Sequence, residues 1–135
     1  MRRSMATILL IDDDDQMQKL VKIDLEDAGY RFVSADNGKH GLRLLEHQAV
    51  DLILVDIFMP EMDGLELIPL LRKTRPATKI IAITAGTGDK NFLDVAKLLG
   101  ANAALEKPFG RQKLLDAVAL QLSLSRKARE VPNRQ

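Results

Sequence analysis

Four stretches of this chain are apolar without alternation: Ile8 to Ile11, Leu52 to Val55, Ile80 to Ile83 behind Lys79, and more weakly Ala103 to Leu105. A strand that is apolar at every position is covered on both faces, as the inner strands of a parallel sheet are. Tyr30 to Ala35 is a further strand, less apolar and therefore expected at a sheet edge. Between the strands the apolar spacing changes to that of helices. Met17, Leu20, Val21, Leu25 and Ala28 form one stripe, with Asp14 or Asp15 as cap and Gly29 as stop. Leu42 and Leu45, with Gly41 as a small-residue contact, give a short helix after the turn at Asn37-Gly38. Leu65, Ile68 and Leu71 place a third between Gly64 and Thr74, where Pro69 is expected to kink it or delay its start. Phe92, Val95, Ala96 and Leu99 mark a fourth, stopped by Gly100. Leu114, Leu115, Val118 and Leu122 mark a fifth that runs out near Ser125. Strand and helix alternate five times, which requires right-handed crossovers and a parallel sheet with helices on both faces. The fold class is a doubly wound α/β sandwich.

The 135 residues make one domain, long enough to bury roughly 70% of its unfolded surface without cross-links. The absence of cysteine excludes disulfides and thiolate metal sites and fits the cytoplasm. Arg2-Arg3 precedes an apolar run far too short for a signal-peptide core or a membrane span, and Met5 is an equally good start. The formal net charge is only +1, but Arg126, Lys127, Arg129 and Arg134 gather in the last segment against Glu130. That segment, residues 124–135, reads as a solvated, frayed basic tail rather than a nucleic-acid site.

The chemistry is concentrated where strands end. The first continuous run stops at Asp12-Asp13-Asp14-Asp15, the central one at Asp56, the next at Thr84-Ala85-Gly86, and the last at Glu106-Lys107-Pro108-Phe109. In an open parallel sheet those ends share one edge, the edge at which ligands bind. Any one residue has an ordinary structural reading: Asp56 as a turn cap, Lys107 as an ion-pair partner, Thr84 as a β-branched strand residue. Their convergence is the functional signal. Two carboxylates about 4 Å apart repel by roughly 4 kcal/mol at an effective dielectric of 20, so Asp12, Asp13 and Asp56 together demand a raised pKa or a cation. With oxygen ligands only, that cation is hard, Mg²⁺ or Mn²⁺ in its place. Thr84 and Lys107 facing such a site would stabilise the oxygens of a phosphoryl group, with Asp56 as nucleophile.

These residues resemble the receiver domain of bacterial two-component response regulators, most of all the stand-alone, chemotaxis-regulator-like kind. The match spans about Ala6 to Ser123 and rests on Asp12-Asp13, on Asp56 followed by Met59-Pro60 and Asp63-Gly64, on Ile83-Thr84-Ala85, and on Lys107-Pro108-Phe109. The resemblance implies a flavodoxin-like five-stranded sheet of order 2-1-3-4-5 with five helices. It implies phosphorylation of Asp56 by a phosphohistidine on a sensor histidine kinase or phosphotransfer protein. By the same resemblance Asp13, Asp56 and the backbone carbonyl of Phe58 hold Mg²⁺ directly, and Asp12 acts through a bound water. Thr84 and the Ala85 amide take phosphoryl oxygens, Lys107 pairs with the charge, and the Lys107-Pro108 bond is cis. The output surface is the face built from the fourth helix, last strand and fifth helix, where Asp94, Lys97 and Lys113 are expected to be exposed.

The chain departs from the family pattern at two places. Ala104 stands where many receivers carry an aromatic switch residue three positions before the lysine. Phe58 and Gly86 occupy the two positions that tune acyl-phosphate lifetime, and a bulky ring beside a glycine implies slow self-dephosphorylation. Three other readings compete. An aspartyl-phosphate phosphatase wants an acid where Phe58 stands, and a flavin or nucleotide binder wants a phosphate loop where the four aspartates stand. A receiver that signals by constitutive binding is favoured by Ala104. The expectation is therefore a phospho-acceptor switch rather than an enzyme, acting on a downstream protein without membrane insertion, with excision from a regulator bearing a DNA-binding output left open.

Overall fold

The computed structural model describes residues 5–59, 64–85 and 91–130. Five strands, β1 (Thr7–Ile11), β2 (Arg31–Ala35), β3 (Leu52–Asp56), β4 (Lys79–Thr84) and β5 (Ala103–Glu106), alternate with five helices. These are α1 (Asp15–Asp27), α2 (Gly38–His47), α3 (Gly64–Thr74), α4 (Asn91–Leu99) and α5 (Arg111–Glu130). All strand pairs are parallel and the order is β2-β1-β3-β4-β5. The half-polar β2 is an edge strand, as its weaker pattern predicts.

Alternation along each strand explains the continuous apolar runs. Leu9, Ile11, Ile53, Val55, Ile80 and Ala82 point to one side of the sheet, where they meet Leu45 of α2, Leu67, Ile68 and Leu71 of α3 and Ala96 of α4. Ile8, Leu10, Leu52, Leu54, Ile81 and Ile83 point to the other, against Val21 and Leu25 of α1 and Leu114 and Val118 of α5. Both sides of every inner strand are thus dry. Gly41 of α2 lies so close to β1 that a Cβ built there would fall 2.5 Å from Ile11 Cδ1, which is why a residue without a side chain stands at that contact.

Helix ends follow local chemistry. The Asp14 side chain accepts from the Gln16 and Met17 amides and caps α1; Asn37 accepts from His40 and caps α2. Gly29 and Gly100 take φ of +96° and +131°, and each closes its helix with paired amide-to-carbonyl bonds, Tyr30 to Leu25 after α1 and Ala101 to Ala96 after α4. Such left-handed closures favour glycine because no Cβ opposes them.

Several expectations need correction. Leu20 and Val95, assigned to the inward stripes, are 59% and 38% exposed, and Ala28 is an exposed C-cap. A stripe about 100° wide leaves one flanking position ambiguous, and packing decides it. Pro69 does not delay α3, which begins at Gly64 with the proline inside it and exposed; only the Leu65 carbonyl loses its helical donor. Helix α5 does not run out near Ser125 but continues to Glu130, so the expected boundary at 123/124 falls within a helix. Leu122, Leu124, Lys127 and Ala128 are good helix formers, and neither glycine nor proline interrupts them. The Gly86–Gly88 loop, Pro60, Asp63 and the tail from residue 131 lie outside the described residues.

Candidate functional site at the carboxyl edge of the sheet

Four strands deliver the site. Asp12 follows directly on β1, Asp56 ends β3, Thr84 ends β4 and Lys107 follows β5. The registers bring them level: Ile11 pairs with Val55, Asp56 with Ile83, and Thr84 with Glu106. The Lys107 amide donates to the Thr84 carbonyl at 2.7 Å, which fixes the start of the Lys107–Phe109 turn against β4. The Lys107-Pro108 peptide bond is cis, as the resemblance implies.

Asp12, Asp56 and Thr84 are buried, Lys107 is half-buried and Asp13 is exposed. Each of Asp12, Asp13 and Asp56 offers an oxygen, and these oxygens lie within 4.8 Å of one another. Lys107 Nζ stands 3.4 Å from Asp56 Oδ2 and 3.6 Å from Asp12 Oδ2. The two buried acids are held by the turns that follow them. Asp12 Oδ1 accepts from the Asp14 amide at 2.9 Å, and Asp56 Oδ1 accepts from the Phe58 amide at 2.9 Å. Such aspartate turns leave the second oxygen of each carboxylate facing the other groups.

The electrostatics of Asp12 are unbalanced. Burial pushes its pKa from 3.8 up to about 6, the neighbouring Asp56 charge adds to that, and the Asp14 amide and Lys107 only partly oppose it. Among the described residues Asp12 Oδ2 is buried with no hydrogen-bond partner, because Lys107 at 3.6 Å is too distant for a good one. Among the described residues this is a buried acceptor without a donor, beside two more carboxylates and no histidine or sulfur ligand, an arrangement that suits a hard divalent cation. The three acids therefore fit a metal ion of that class.

Not every expected residue has the same standing. Asp12, Asp13, Asp56 and Lys107 are brought together; Thr84 sits on the adjacent strand end, and Ala85 follows it, exposed. The Phe58 ring is 39% exposed beside the site, whereas Gly86 lies outside the described residues. Ala104 is half-buried on the outer strand, paired with Ala82. Asp94, Lys97 and Lys113 are exposed, as expected. Sequence reasoning missed Gln18, whose Nε2 donates to the Asp12 carbonyl at 2.6 Å. Its only signal is the polar position it occupies one turn after the aspartates, which is too common to be informative. A shallow depression of about 450 Å³ lies at the opposite edge, lined by Thr7, Tyr30, Arg31 and Phe32 among others, and shares no residue with the site.

A doubly wound sheet with a metal-compatible acid cluster, a hydroxyl and a lysine at its carboxyl edge defines the class of phospho-accepting signalling switches. The pattern of the response regulator receiver domain matches residues 8–119, and the chain belongs to that family. It is 35% identical over 113 residues to the transcriptional regulatory protein GlrR of Escherichia coli, covering 84% of this chain and 25% of that one. It is 38% identical over 114 residues to the CAI-1 autoinducer sensor kinase/phosphatase CqsS of Vibrio cholerae, covering 83% of this chain and 17% of that one. The chain thus spans a quarter or less of the length of these relatives. A CheY-like response regulator receiver domain protein from Methanospirillum hungatei superposes with a TM-score of 0.86 at 32% identity, over 93% of this chain and 99% of that one. Among the described residues no helix is long and apolar enough to cross a membrane.

Proposed function

We propose that this chain takes a phosphoryl group onto Asp56 from a phosphohistidine of a sensor histidine kinase or phosphotransfer protein, and passes the signal to a downstream protein through an altered surface. The observation that carries this reading is the placement of Lys107 Nζ within 4 Å of both Asp12 and Asp56, with an oxygen of Asp13 beside them. The resemblance makes Asp56 the acceptor: its Oδ1 is tied to the Phe58 amide, and its Oδ2, 3.4 Å from Lys107 Nζ, is the oxygen that attacks phosphorus. An acyl phosphate forms at Oδ2 as the bond from phosphorus to the donor imidazole breaks. Lys107 compensates the charge carried on the phosphoryl oxygens, and the Thr84 hydroxyl and Ala85 amide contribute hydrogen bonds from the next strand end. Asp13, Asp56 and the Phe58 carbonyl would hold Mg²⁺ or Mn²⁺, with Asp12 acting through a water. The cation, when bound, neutralises charge on the transferring group. The chain catalyses nothing beyond its own phosphorylation and dephosphorylation.

The test is a titration with a small phosphodonor or with BeF₃⁻ and Mg²⁺, followed by NMR and compared with Asp56→Asn. Shifts that need Mg²⁺ and Asp56 and that extend from the site to Thr84 and α4 are expected; no shift at all would overturn the reading. A second reading, a receiver that signals by constitutive binding, is favoured by Ala104, since no ring stands on β5 to follow a movement of Thr84. It predicts no shift at all, whereas shifts confined to the site would leave phosphorylation intact with an output that is uncoupled or dependent on a partner. A DNA-binding output elsewhere in a longer protein is compatible with the partial span of GlrR and is tested by the length of the encoded chain.

A further inference from the structure

Among the described residues, the backbone of the Asp12–Asp13 turn takes a hydrogen bond from one side chain, that of Gln18. The Asp12 amide donates to the Ala35 carbonyl at 3.1 Å, and its Oδ1 accepts from the Asp14 amide within its own turn. Its carbonyl accepts from Gln18 Nε2 at 2.6 Å. That carbonyl belongs to the peptide unit joining Asp12 to Asp13, so the bond fixes the plane on which both carboxylates are mounted. The same Nε2 lies 3.2 Å from Asp36 Oδ1 and 3.5 Å from the Ala35 carbonyl. One half-buried amide thus ties the end of β1 to the end of β2. The Asp36 amide in turn meets His40 Nδ1 at 3.4 Å.

We infer that Gln18 is a positioning residue for the cation site: it sets divalent-ion affinity by orienting the Asp12–Asp13 peptide, with Asp36 holding the amide in place. The inference rests on the proposed Mg²⁺ site and adds to it a residue that touches neither the ion nor the phosphoryl group. An amide suits the position because its NH₂ donates to oxygens that all accept. A carboxylate of the same shape would face the Asp12 carbonyl and the Asp36 carboxylate with no donor at all.

The test is calorimetric titration of the full chain with Mg²⁺, repeated with Mn²⁺, alongside urea unfolding in EDTA. Gln18→Leu is expected to weaken both ions on the order of tenfold, the lower end of what partners of metal ligands contribute. Gln18→Glu separates positioning from charge. Its added negative charge favours cation binding by simple attraction, so weaker binding in that variant points to lost geometry. Asp36→Ala is expected to weaken binding less, and to add little once Gln18→Leu is present, because the two act through one contact. Asn102→Ala, at the far edge of the sheet, is expected to lower stability and leave ion affinity unchanged, which distinguishes a general loosening from a local one. Unchanged affinity in Gln18→Leu, or tighter binding in Gln18→Glu, overturns the role of Gln18 alone. A wild-type chain that binds neither ion overturns both this role and the site on which it rests.

Discussion

With its pKa near 6, Asp12 is protonated in the folded chain at a pH where the unfolded chain has already lost that proton. Between pH 3.8 and about 6 the folded state binds more protons, so this group lowers stability as pH rises through that window. Above it the penalty is complete, on the order of 3 kcal/mol for a group so thoroughly buried. Asp12→Asn keeps an acceptor for the Asp14 amide and removes the charge. It is therefore expected to be more stable than wild type at pH 7 in EDTA, and the difference should vanish near pH 3.5. Urea unfolding at both values checks this, and an equal gain at both would show that charge burial is not the cause. Phe58 is expected to act at the same scale through exclusion. Its ring stands two residues after Asp56, where a small polar side chain would help to place an attacking water. Phe58→Asn is expected to shorten the lifetime of phosphorylated Asp56, measured by loss of label from the isolated phosphoprotein. Unchanged decay would remove the ring from the account.

Among the elements, the join between α3, α4 and β5 depends on Arg72. Its guanidinium donates to the carbonyls of Gly100 (2.7 Å), Thr78 (2.6 Å), Pro76 (3.0 Å) and Arg75 (3.3 Å), and to Asn102 Oδ1 (2.8 Å). Asn102 Oδ1 also accepts from the Ile80 amide. Burial pulls the Arg72 pKa below its usual value, and the ring of carbonyls offsets the lost hydration. Arg72→Ala strands several of these acceptors and is expected to cost about 3 kcal/mol in urea unfolding. Arg72→Lys should recover little, since a point charge does not reproduce a planar fork. None of this was legible in the sequence, because backbone carbonyls carry no residue signature. The same reason hid Gln18. The strands were legible because burial on both faces writes an uninterrupted apolar run, and Asp12, Asp13, Asp56 and Lys107 because each stands where such a run stops. Helix orientation was less so: the spacing that placed Val21 and Leu25 correctly also admitted Leu20.

At the scale of the whole molecule, strand order is the property that local pattern leaves open, since pairing is non-local; here it came from resemblance to receivers and agrees with the observed β2-β1-β3-β4-β5. The site exists only because that order sets β1 beside β3, with β4 and β5 next in line. A ligand that binds only the assembled edge stabilises the whole fold. Mg²⁺ at about a hundredfold above its Kd is expected to add roughly 2.7 kcal/mol to unfolding. Asp13→Asn, which removes an exposed carboxylate of the proposed ion site without disturbing the core, should abolish most of that gain. Equal stabilisation of this variant would move the ion elsewhere.

The arginine fork has a mechanical consequence as well. It grips the chain at Gly100, just past the last turn of α4, and so holds that end of the helix to α3. A nine-residue rod is about 13 Å long, and a tilt of 10° about its anchored end carries the other by about 2 Å. A helix held at one end is expected to answer a push at the other with a swing rather than a slide. In that geometry exposed Leu98, close to the pivot, travels little, while Asp94 and Val95 sweep the wider arc.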